Sequence, residues 1–464
     1  MELKIFNTLW REKQIFRPIN EKQVSMYSCG PTVYSKPHIG NMRSYIFANL
    51  FRNVIENILG YKVKHIVNIT DVGHLTDDGD AGEDKLEKSS KKEWKSAYDI
   101  AKKYEDIFKD YLEKLDLHFD VFPRATEHIK EQIDMVKMLE EKWYTYKIEW
   151  DGIYMDTSKV KDYGKLLPKW HLEGLLSCAR VENKNKKNKT DFALWKFSKK
   201  LEKRQMEWNS PWWVWFPGWH IECSAMSTKY LWKHFDIHTW GIDHIPVHHT
   251  NEIAQTESCY GWNWINYWLH NEFLNLKNDK MSKSKWNVIT LDTIIEKCIN
   301  PMKFKYFIYL SHYRNIQNFS FKELQAAWKN YDKIVEKLKE YDLSNIKWID
   351  HKNLENNELI NYLLDDLDTV KLIAWINKKL SWKLTDKDLT TLKFLDEKVL
   401  KLRLFEKAQQ KEEIPGNIKK LAKERLQAKK EKNFILSDEL RKKIHSQGYQ
   451  ILDTKEGYQI KKAK

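Results

Sequence analysis

The pattern of hydrophobic and polar positions near the N-terminus predicts a strand, a loop and a helix in quick succession. Residues 23–29 form a short, half-apolar run that Gly30 and Pro31 interrupt. Beyond this loop, apolar residues recur at helical spacing until Gly60 supplies a C-cap, and residues 61–67 form a second strand. In such a β-loop-α-β unit the loop suits phosphate binding, because free N–H groups and the positive end of the helix dipole point outward.

The rest of the chain alternates between strand and helix patterns and then becomes helical. Residues 119–210 are irregular, with a helical stretch and short strands, and residues 211–275 again contain strands and a helix. Amphipathic stretches without strand signals predict a helical bundle over residues 321–410. Two further helices and a hairpin form a C-terminal unit over residues 411–464.

Two polar motifs have the chemistry to bind a nucleoside triphosphate. At the start of the first predicted helix, Gly40 would let a ribose or base approach the backbone, and His38 would put a polarisable donor beside a triphosphate. A histidine near a helix start is more often a surface side chain, so this motif alone is a weak signal. The second motif is the loop Lys280, Met281, Ser282, Lys283 and Ser284.

The second motif follows the apolar run 267–276 and carries two lysines three positions apart. Such a pair suits the neutralisation of charge on a phosphate during displacement. A solvated basic loop would have the same composition. Because they occur in this order and at this separation, the two motifs together are much more specific than either one alone.

These motifs and several longer stretches resemble class I aminoacyl-tRNA synthetases and, more narrowly, the cysteinyl-tRNA synthetase family. The likeness runs from Leu3 to the C-terminus. It departs from the family at Asn41, where the first signature often ends in His, although Asn also suits a helix start and donates to phosphate. The shared stretches are residues 29–34, 68–71, 219–226, 235–238, 248–255 and 280–284.

The resemblance implies an α/β fold with a Rossmann-type parallel sheet split by a connective insertion. A helical bundle and a small C-terminal α+β module would follow the sheet. The expected divisions are a first catalytic half at 1–118, the connective insertion at 119–210, a second catalytic half at 211–275, the phosphate loop and stem-contact region at 276–320, a tRNA-binding helical bundle at 321–410 and a basic anticodon-binding module at 411–464.

The resemblance also implies one zinc ion per subunit, held by Cys29, Cys223, His248 and Glu252. By spacing alone this set is weak, because the ligands come from three separate segments and a His/Glu pair one turn apart is common on helix surfaces. Zinc binds a thiolate strongly, whereas an alcohol binds poorly and stays protonated. Zinc could therefore select cysteine over serine beyond the roughly 1–3 kcal/mol that a hydrophobic pocket offers, and no editing domain would be required.

Other roles follow from the same resemblance. The expected contacts to the amino acid are Gly30, Thr70, Trp219, His238 and Asp243. Trp219 would wall the side-chain pocket, or serve as a core aromatic, and Asp243 would pair with the α-ammonium. His220 and His249 receive no role and are expected to be structural. The expected ATP contacts are His38, Gly40, Asn41, Lys280, Met281, Ser282, Lys283 and Ser284, of which His38, Asn41, Lys280 and Lys283 are the expected catalytic groups.

Charge and composition limit which binding partners and which cellular compartment are expected. The net charge is +14, and residues 401–464 contain 18 Lys and Arg against 9 Asp and Glu. This excess favours a polyanionic partner, although a solvated helical surface explains it equally well. No apolar run reaches about 18 residues and the N-terminus is no signal peptide, so a cytoplasmic protein without membrane contact is expected. Five scattered cysteines argue against a disulfide framework.

The resemblance implies an ATP-dependent ligase that joins L-cysteine to its tRNA, with Mg²⁺ accompanying ATP, in a protein expected to be a monomer. One alternative is a ligase that passes cysteine to an amino-sugar amine, as in the mycothiol-pathway relatives. Those relatives lack a full anticodon module, so residues 415–464 favour the synthetase. A second alternative is a non-catalytic RNA-binding protein on a decayed synthetase scaffold, against which the intact motifs argue.

The counts of glycine and tryptophan are unusual. The chain has 15 Gly, where about 7% would give roughly 32, and 21 Trp. An indole cannot replace glycine where φ is positive or where backbone meets ligand closely. We therefore hypothesise that UGA codons, read as glycine in the source organism, are rendered as tryptophan here; the alternative is an unusually Trp-rich enzyme. The suspect positions, most of them glycine in the resembled family, are Trp94, Trp143, Trp213, Trp215, Trp232, Trp240 and Trp286.

Overall fold

A computed structural model describes most of the chain. The described residues are 1–72, 85–168, 185–197, 205–276, 279–280, 288–346, 349, 354, 357–410, 415–454 and 457–462. The chain divides into two compact units, Met1–Phe405 and Glu406–Lys464. Among the described residues, no helix combines the length and the apolar character needed to cross a bilayer.

The secondary structure is mixed. The strands are β1 (Lys4–Asn7), β2 (Glu12–Ile15), β3 (Gln23–Ser28), β4 (Lys62–Val67), β5 (Thr145–Ile148), β6 (Gly152–Met155), β7 (Phe192–Phe197), β8 (Trp208–Ser210), β9 (Trp213–Pro217), β10 (Phe235–Gly241), β11 (Ile265–Asn271), β12 (Leu274–Leu276), β13 (Asp279–Lys280), β14 (Gln317–Phe319), β15 (Tyr449–Thr454) and β16 (Gly457–Lys462). The α-helices are α1 (Ile39–Asn53), α2 (Lys85–Glu93), α3 (Ala97–Lys114), α4 (Ile129–Glu141), α5 (Trp219–Leu231), α6 (Thr250–Tyr260), α7 (Leu291–Glu296), α8 (Pro301–Tyr309), α9 (Phe321–Leu338), α10 (Glu358–Leu364), α11 (Thr369–Leu380), α12 (Asp386–Phe394), α13 (Leu404–Gln409), α14 (Gly416–Lys430) and α15 (Phe434–Ser446). Short 3₁₀ turns cover Ala125–His128, Thr157–Lys159 and Ile242–His244, and π turns cover Val54–Ile58, Ile245–His249 and Leu395–Leu400.

A four-stranded parallel sheet lies at the centre of the first unit, with strand order β11-β10-β3-β4. Two of its strands precede the inserted segment and two follow it, so the predicted split parallel sheet is confirmed. β3 and β10 are neighbours although about 200 residues separate them in the chain. The carboxyl ends of such a neighbouring pair are where open α/β sheets bind ligands.

The first helix begins at Ile39, so the motif that includes His38 and Gly40 lies at the helix start, as predicted. His38 is its N-cap: the His38 Nδ1 accepts a hydrogen bond from the Asn41 amide at 3.1 Å, and the Asn41 Oδ1 accepts one from the His38 amide at 3.2 Å. This reciprocal pair satisfies two amides that a helix start otherwise leaves without partners. The two polar residues of the first motif thus also fix where α1 begins.

The inserted segment folds around a five-stranded antiparallel sheet with order β5-β6-β7-β9-β8. Its last strand ends at Pro217, beyond the expected division at residue 210. The sheet packs on α4 and α5 through a buried cluster that includes Leu139, Trp195 and Ile221. This packing joins the insertion to the helix that follows it, α5.

The helical bundle is more interrupted than its amphipathic pattern indicated. The stretch 357–380 is two helices, α10 and α11, separated by Asp366 and Leu367 at φ 60° and 58°. The stretch 386–409 is likewise broken after the π turn, where Lys401 has φ 54°. Left-handed residues end helices because they turn the backbone out of the helical path.

The second unit is a small α+β module. α14 and α15 pack on the hairpin β15–β16 through Ile418, Ala422, Ile444 and Ile451. The predicted pair of helices and the following hairpin are confirmed, although Lys455 and Glu456 at the hairpin turn lie outside the described residues.

Several suspect tryptophans have a backbone conformation that favours glycine. Positive φ angles occur at Trp94 (54°), Trp143 (65°), Trp213 (158°) and Trp232 (73°), and also at Trp150 (59°), which the sequence did not single out. All five side chains are exposed. Trp215 and Trp240 lie in strands β9 and β10, and Trp286 lies outside the described residues.

Candidate active site

The carboxyl ends of β3, β4 and β10 surround a buried polar cluster. Cys29 and Gly30 directly follow β3, and Asn68 follows β4. A β-carbon on Gly30 would lie 1.3 Å from the carbonyl oxygen of Asn68, so only glycine lets the two chain segments meet here. The Gly30 amide instead donates to the Asn68 Oδ1 at 2.7 Å.

Asn68 links three expected site residues. Besides the Gly30 amide, its Oδ1 is 3.6 Å from the Cys223 Sγ, and its Nδ2 donates to the Thr70 Oγ1 at 3.1 Å. No role of its own was predicted for Asn68. Its place as the first polar residue after a buried strand was the available signal.

The four expected metal ligands lie together. Cys29 follows β3, Cys223 lies in α5, His248 in the π turn before α6, and Glu252 in the first turn of α6. One donor atom from each lies within 4.8 Å of all the others, and all four side chains are buried. His248 Nε2 is 3.3 Å from Glu252 Oε1, as their spacing on one helical face predicted.

A second quartet overlaps the first. Cys29, His238, His249 and Glu252 also have donor atoms within 4.8 Å of one another. The Cys29 Sγ is 3.4 Å from the His249 Nε2, and the His238 Nε2 is 3.3 Å from Glu252 Oε2. His249, which was expected to be structural, therefore lies inside the cluster.

His220 also joins the cluster. Its Nδ1 lies 3.0 Å from the Nδ1 of His248, and its Nε2 is 3.2 Å from the Asn251 Nδ2. The Gln255 Nε2 donates to the His220 carbonyl at 2.6 Å. The missed signal was position: His220 and His249 each stand within three residues of an expected ligand, next to Trp219 and His248 respectively.

The cluster fits a metal cation. Glu252 is fully buried, yet neither of its carboxylate oxygens accepts a hydrogen bond from a described residue. The contacts to His238 and His248 at 3.3 Å lack hydrogen-bond geometry. A buried carboxylate in this state is costly unless a cation compensates it. Two thiols, an imidazole and a carboxylate form a donor set suited to zinc.

Two of the four groups already favour the form that binds a metal, and His248 does not. Burial opposes its charged form, but Glu252 and Cys223 raise its pKa to about 10, so this pKa must fall when a metal displaces the proton. Burial and the neighbouring Cys223 raise the pKa of the Cys29 thiol. Burial alone would also raise the pKa of Cys223, but its hydrogen bonds with Cys29 and His248 lower it to about 6. Burial opposes the carboxylate form of Glu252, yet the charges of His248 and His238 hold its pKa below the usual range. One thiolate and one carboxylate are thus favoured before any metal arrives.

The expected contacts to the substrate lie around this cluster. Trp219 is half-buried at the first position of α5, next to its N-cap Gly218. Asp243 is exposed in the turn that follows β10. A β-carbon on Gly241 would lie 2.5 Å from the Asp243 Oδ1, so the missing side chain leaves room for that carboxylate.

The two ATP motifs are only partly described. Lys280 lies in β13, which pairs with β12 in the register Asn275 to Lys280. Met281, Ser282, Lys283 and Ser284 lie outside the described residues. After the gap the chain returns to the start of α1, where the Ile39 amide donates to the Ile289 carbonyl at 2.9 Å. A bridge between His38 and Thr290 adjoins this bond.

Comparison with known proteins decides the family. The family described as "tRNA synthetases class I (C) catalytic domain" matches residues 15–329. Cysteine–tRNA ligase 1 of Burkholderia lata is 40% identical, over 99% of this chain and 97% of the relative. The cysteine–tRNA ligase of Treponema denticola is also 40% identical, over 98% of both chains. The chain belongs to the cysteinyl-tRNA synthetase family.

The fold agrees with class I membership. It is similar to Mycobacterium tuberculosis methionyl-tRNA synthetase in complex with methionyl-adenylate, with a TM-score of 0.57 over 83% of this chain and 91% of that chain. The identity there is 13%, so this likeness shows the fold alone. The near full-length match to cysteinyl-tRNA synthetases includes the C-terminal module, which disfavours the amino-sugar ligase alternative.

Proposed function

We propose that this cysteinyl-tRNA synthetase activates L-cysteine with Mg²⁺-ATP and transfers it to the 3′-terminal adenosine of the cysteine tRNA. The buried cluster of Cys29, Cys223, His248 and Glu252 supports this most directly. It supplies a thiol-selective metal centre at the sheet edge where an amino acid would bind.

Cys29, Cys223, His248 and Glu252 would hold one zinc ion. When bound, zinc supplies an affinity for thiolate that an alcohol cannot match. Glu252 would be the fourth ligand, and the cation would compensate its buried carboxylate, whose oxygens accept no hydrogen bond from a described residue. Asn68 and His220 contact Cys223 and His248 from behind and would keep both ligands in place.

The remaining pocket residues would orient the amino acid. Trp219 would wall the side-chain pocket, and the exposed carboxylate of Asp243 would receive the α-ammonium. Gly30 and Thr70 are both hydrogen-bonded to Asn68, and they would limit the space at the bottom of the amino-acid pocket. His238 is fully buried beside Glu252 and would complete the polar lining.

Adenylate formation joins the cysteine carboxylate oxygen to the α-phosphorus of ATP and releases pyrophosphate. His38 and Asn41 would hold the triphosphate at the positive end of the α1 dipole. Lys280 and Lys283 would neutralise charge on the leaving pyrophosphate, with Gly40, Met281, Ser282 and Ser284 as further ATP contacts. The ribose hydroxyl of the tRNA then attacks the carbonyl carbon and AMP leaves.

The tRNA would lie along the basic parts of the chain. Residues 401–464 carry +9 of the net charge of +14, and we assign the C-terminal module to the anticodon and the bundle to the stem. A monomer in the cytoplasm, away from membranes, is the form we propose. Because basic side chains would bind the tRNA phosphates, the affinity for tRNA should fall steeply as the salt concentration rises.

The test is aminoacylation of purified tRNA with radiolabelled cysteine and ATP, run beside cysteine-dependent pyrophosphate exchange. Both reactions should proceed, and serine should replace cysteine in neither. Exchange without tRNA charging would favour the amino-sugar ligase instead. Absence of both reactions, in protein that retains zinc and its fold, would refute the proposed function.

A further inference from the structure

Lys280 lies on a small sheet that one buried arginine anchors to α1. The sheet has the order β13-β12-β14, and β12 and β14 are parallel. Phe273 immediately precedes β12, and Asn315 lies just before β14. The Arg43 guanidinium donates to the carbonyls of both residues, at 2.7 Å for Asn315. Arg43 therefore ties together the two chain segments that lead into β12 and β14.

Arg43 stands two positions after Asn41, on the first turns of α1. It is 1% exposed and also reaches the carbonyls of His312 and Tyr313, at 3.3 and 3.5 Å. A guanidinium offers five N–H donors in a rigid fork, which a lysine cannot reproduce. Arg43, together with the stacking of Phe47 of α1 on Tyr313 at 4.3 Å between ring centroids, thus sets the distance between the α1 start and β13.

The same short segment is held from the other side by the helical bundle. Asp366, fully buried between α10 and α11, accepts from the Arg314 Nη2 at 2.7 Å and from the Tyr313 hydroxyl at 2.6 Å. It also accepts from the Phe6 amide at 3.0 Å. Residues 312–315 are consequently clamped between Asp366 of the bundle and Arg43 of α1.

We propose that Arg43 and Asp366 are positioning residues for adenylate formation, which fix the sheet carrying Lys280 relative to His38 and Asn41. This rests on the proposed function. Neither residue touches the substrates: Arg43 acts through the backbone of the strands, and Asp366 acts through residues 313 and 314. A shift of the helical bundle would therefore move the sheet carrying Lys280 relative to the start of α1 and change the geometry of the ATP site.

The test compares Arg43→Lys and Asp366→Asn with a matched control. Arg52 lies on the same helix and makes a two-pronged contact with Asp120 at 2.8 and 3.1 Å, away from the Lys280 sheet. Asp120→Asn therefore weakens an ion pair of the same helix, in which the arginine is buried and the carboxylate is partly exposed, without touching the proposed clamp. All three variants are assayed for pyrophosphate exchange, zinc content and thermal unfolding.

Arg43→Lys should lower kcat for exchange by about tenfold to a hundredfold, with KM for cysteine within about twofold of wild type. Asp366→Asn should have a smaller effect of the same kind. Asp120→Asn should lower the unfolding temperature and leave kcat unchanged. Unchanged kcat in Arg43→Lys, or an equal loss in Asp120→Asn, would overturn the proposal.

A second measurement does not depend on activity. Amide hydrogen exchange in β12 and β14 should accelerate in Arg43→Lys and Asp366→Asn, while exchange in β10 and β11 stays as in wild type. If wild type shows no catalysis but these strands loosen as expected, the proposed function fails and the clamp stands. If they do not loosen, the clamp fails whatever the activity.

A second inference rests on backbone geometry and side-chain exposure, and concerns the exposed tryptophans. Trp143 follows α4 in a complete Schellman motif: its amide donates to the Glu140 carbonyl, and the Tyr144 amide donates to the Leu139 carbonyl, both at 2.9 Å. Its φ is 65° and its side chain is 79% exposed. This position of the motif is usually glycine, because a β-carbon is unfavourable in the left-handed region.

Three other positions show the same conflict. Trp94 follows α2, where the Lys95 amide donates to the Ser90 carbonyl at 3.2 Å, and is 95% exposed. Trp150 has φ 59° in the tight hairpin between β5 and β6. Trp232 ends α5 at φ 73° and ψ 176°, a region that is essentially restricted to glycine.

Other tryptophans in the chain have ordinary surroundings. Trp195, Trp264 and Trp268 are almost completely buried, and Trp268 stacks on His238 with ring centroids 4.8 Å apart. An indole there fills volume that glycine would leave empty. The exposed tryptophans with positive φ therefore differ from the buried tryptophans in both backbone conformation and packing, although both are tryptophan in the sequence.

We propose that positions 94, 143, 150 and 232 are glycine in the native protein, encoded by UGA. The coding sequence tests this directly: it should contain UGA at these four positions and UGG at Trp195, Trp264 and Trp268. UGG at the exposed positions, or UGA in both groups, would overturn the proposal. Tandem mass spectrometry of the native peptide around position 143 should then give the residue mass of glycine; the mass of tryptophan would refute it.

Discussion

The indole of Trp219 stacks on the imidazole of His248, with ring centroids 4.2 Å apart and planes 12° from parallel. Trp219 begins α5 and His248 lies in the turn before α6, so the stack joins two elements that are distant in the chain. One side chain is the proposed pocket wall and the other a proposed metal ligand. The pocket and the metal centre are therefore one packed unit.

Replacing Trp219 should consequently disturb metal binding as well as cysteine binding. An aromatic pair contributes about 0.5–1.5 kcal/mol beyond its buried area, so Trp219→Ala should weaken zinc affinity by about twofold to tenfold. Trp219→Phe keeps an aromatic ring against His248 and should retain most of the zinc affinity. A zinc titration against a competing chelator measures both variants. Equal affinity in wild type and Trp219→Ala would show that the stack does not support the ligand.

Removing a thiol ligand should abolish the selection of cysteine. Cys223→Ser replaces a thiolate with an alcohol that binds zinc poorly, so zinc affinity should fall by at least about a hundredfold. Discrimination between cysteine and serine in pyrophosphate exchange should fall with it. Metal content by emission spectroscopy and exchange rates with each amino acid give the two readouts.

The matched control for this change is Cys298→Ser. Cys298 is exposed and lies after α7, outside the cluster. Its replacement should leave zinc content and amino-acid discrimination at wild-type levels. Full zinc occupancy in Cys223→Ser would contradict the assignment of Cys223 as a ligand.

The central sheet could be predicted from local patterns, whereas the metal quartet followed from the family resemblance, because its ligands come from three separate segments of the chain. Apolar runs ended by polar residues placed β3, β4 and β10, and the spacing of His248 and Glu252 put them on one face. By contrast, the site's supporting contacts combine single residues from several segments. Asn68 and His220 act through contacts of 3.6 and 3.0 Å that no periodicity encodes.

The helix breaks in the bundle were also beyond local pattern. Residues 357–380 are amphipathic throughout, yet the helix stops where the buried carboxylate of Asp366 meets Arg314 and Tyr313. Tertiary contacts of a buried charge outweigh helix propensity, because leaving that charge unpaired costs several kcal/mol. Breaks of this kind become visible only once distant segments are brought together.

His220 should act as a supporting group for His248. Its Nδ1 lies 3.0 Å from that of His248, and partners of metal-bound histidines typically affect metal affinity by about tenfold to a hundredfold. His220→Ala should therefore release zinc faster than wild type, as followed with a chromogenic chelator. His128 is a suitable control, since it is buried against Tyr230 at 3.2 Å. If His128→Ala releases zinc as fast as His220→Ala, general destabilisation is the better explanation.

Lys305 should make the stability of the first unit depend on pH. Its ammonium is fully buried and donates to the carbonyls of Leu115, Asp116 and Lys401, at 2.8, 3.3 and 3.2 Å. Burial lowers its pKa to about 7, whereas an unfolded lysine has a pKa of about 10.4. Between these values the unfolded chain holds a proton that the folded chain lacks. The free energy of unfolding should therefore rise with pH, by up to about 1.4 kcal/mol per pH unit from this group.

Urea unfolding between about pH 7 and pH 10 tests this, with Lys305→Met beside wild type. Other groups titrate in the same range, so the informative quantity is the difference in slope between the two proteins. Lys305→Met should rise less steeply, because its side chain carries no proton to lose. Lys303→Met is the control: Lys303 lies on the same helix and pairs with Asp332 at 2.7 Å, near the surface. Because only Lys305 is fully buried, the Lys303 variant should keep the wild-type slope, and an equal slope in the Lys305 variant would show that this lysine stays charged when folded.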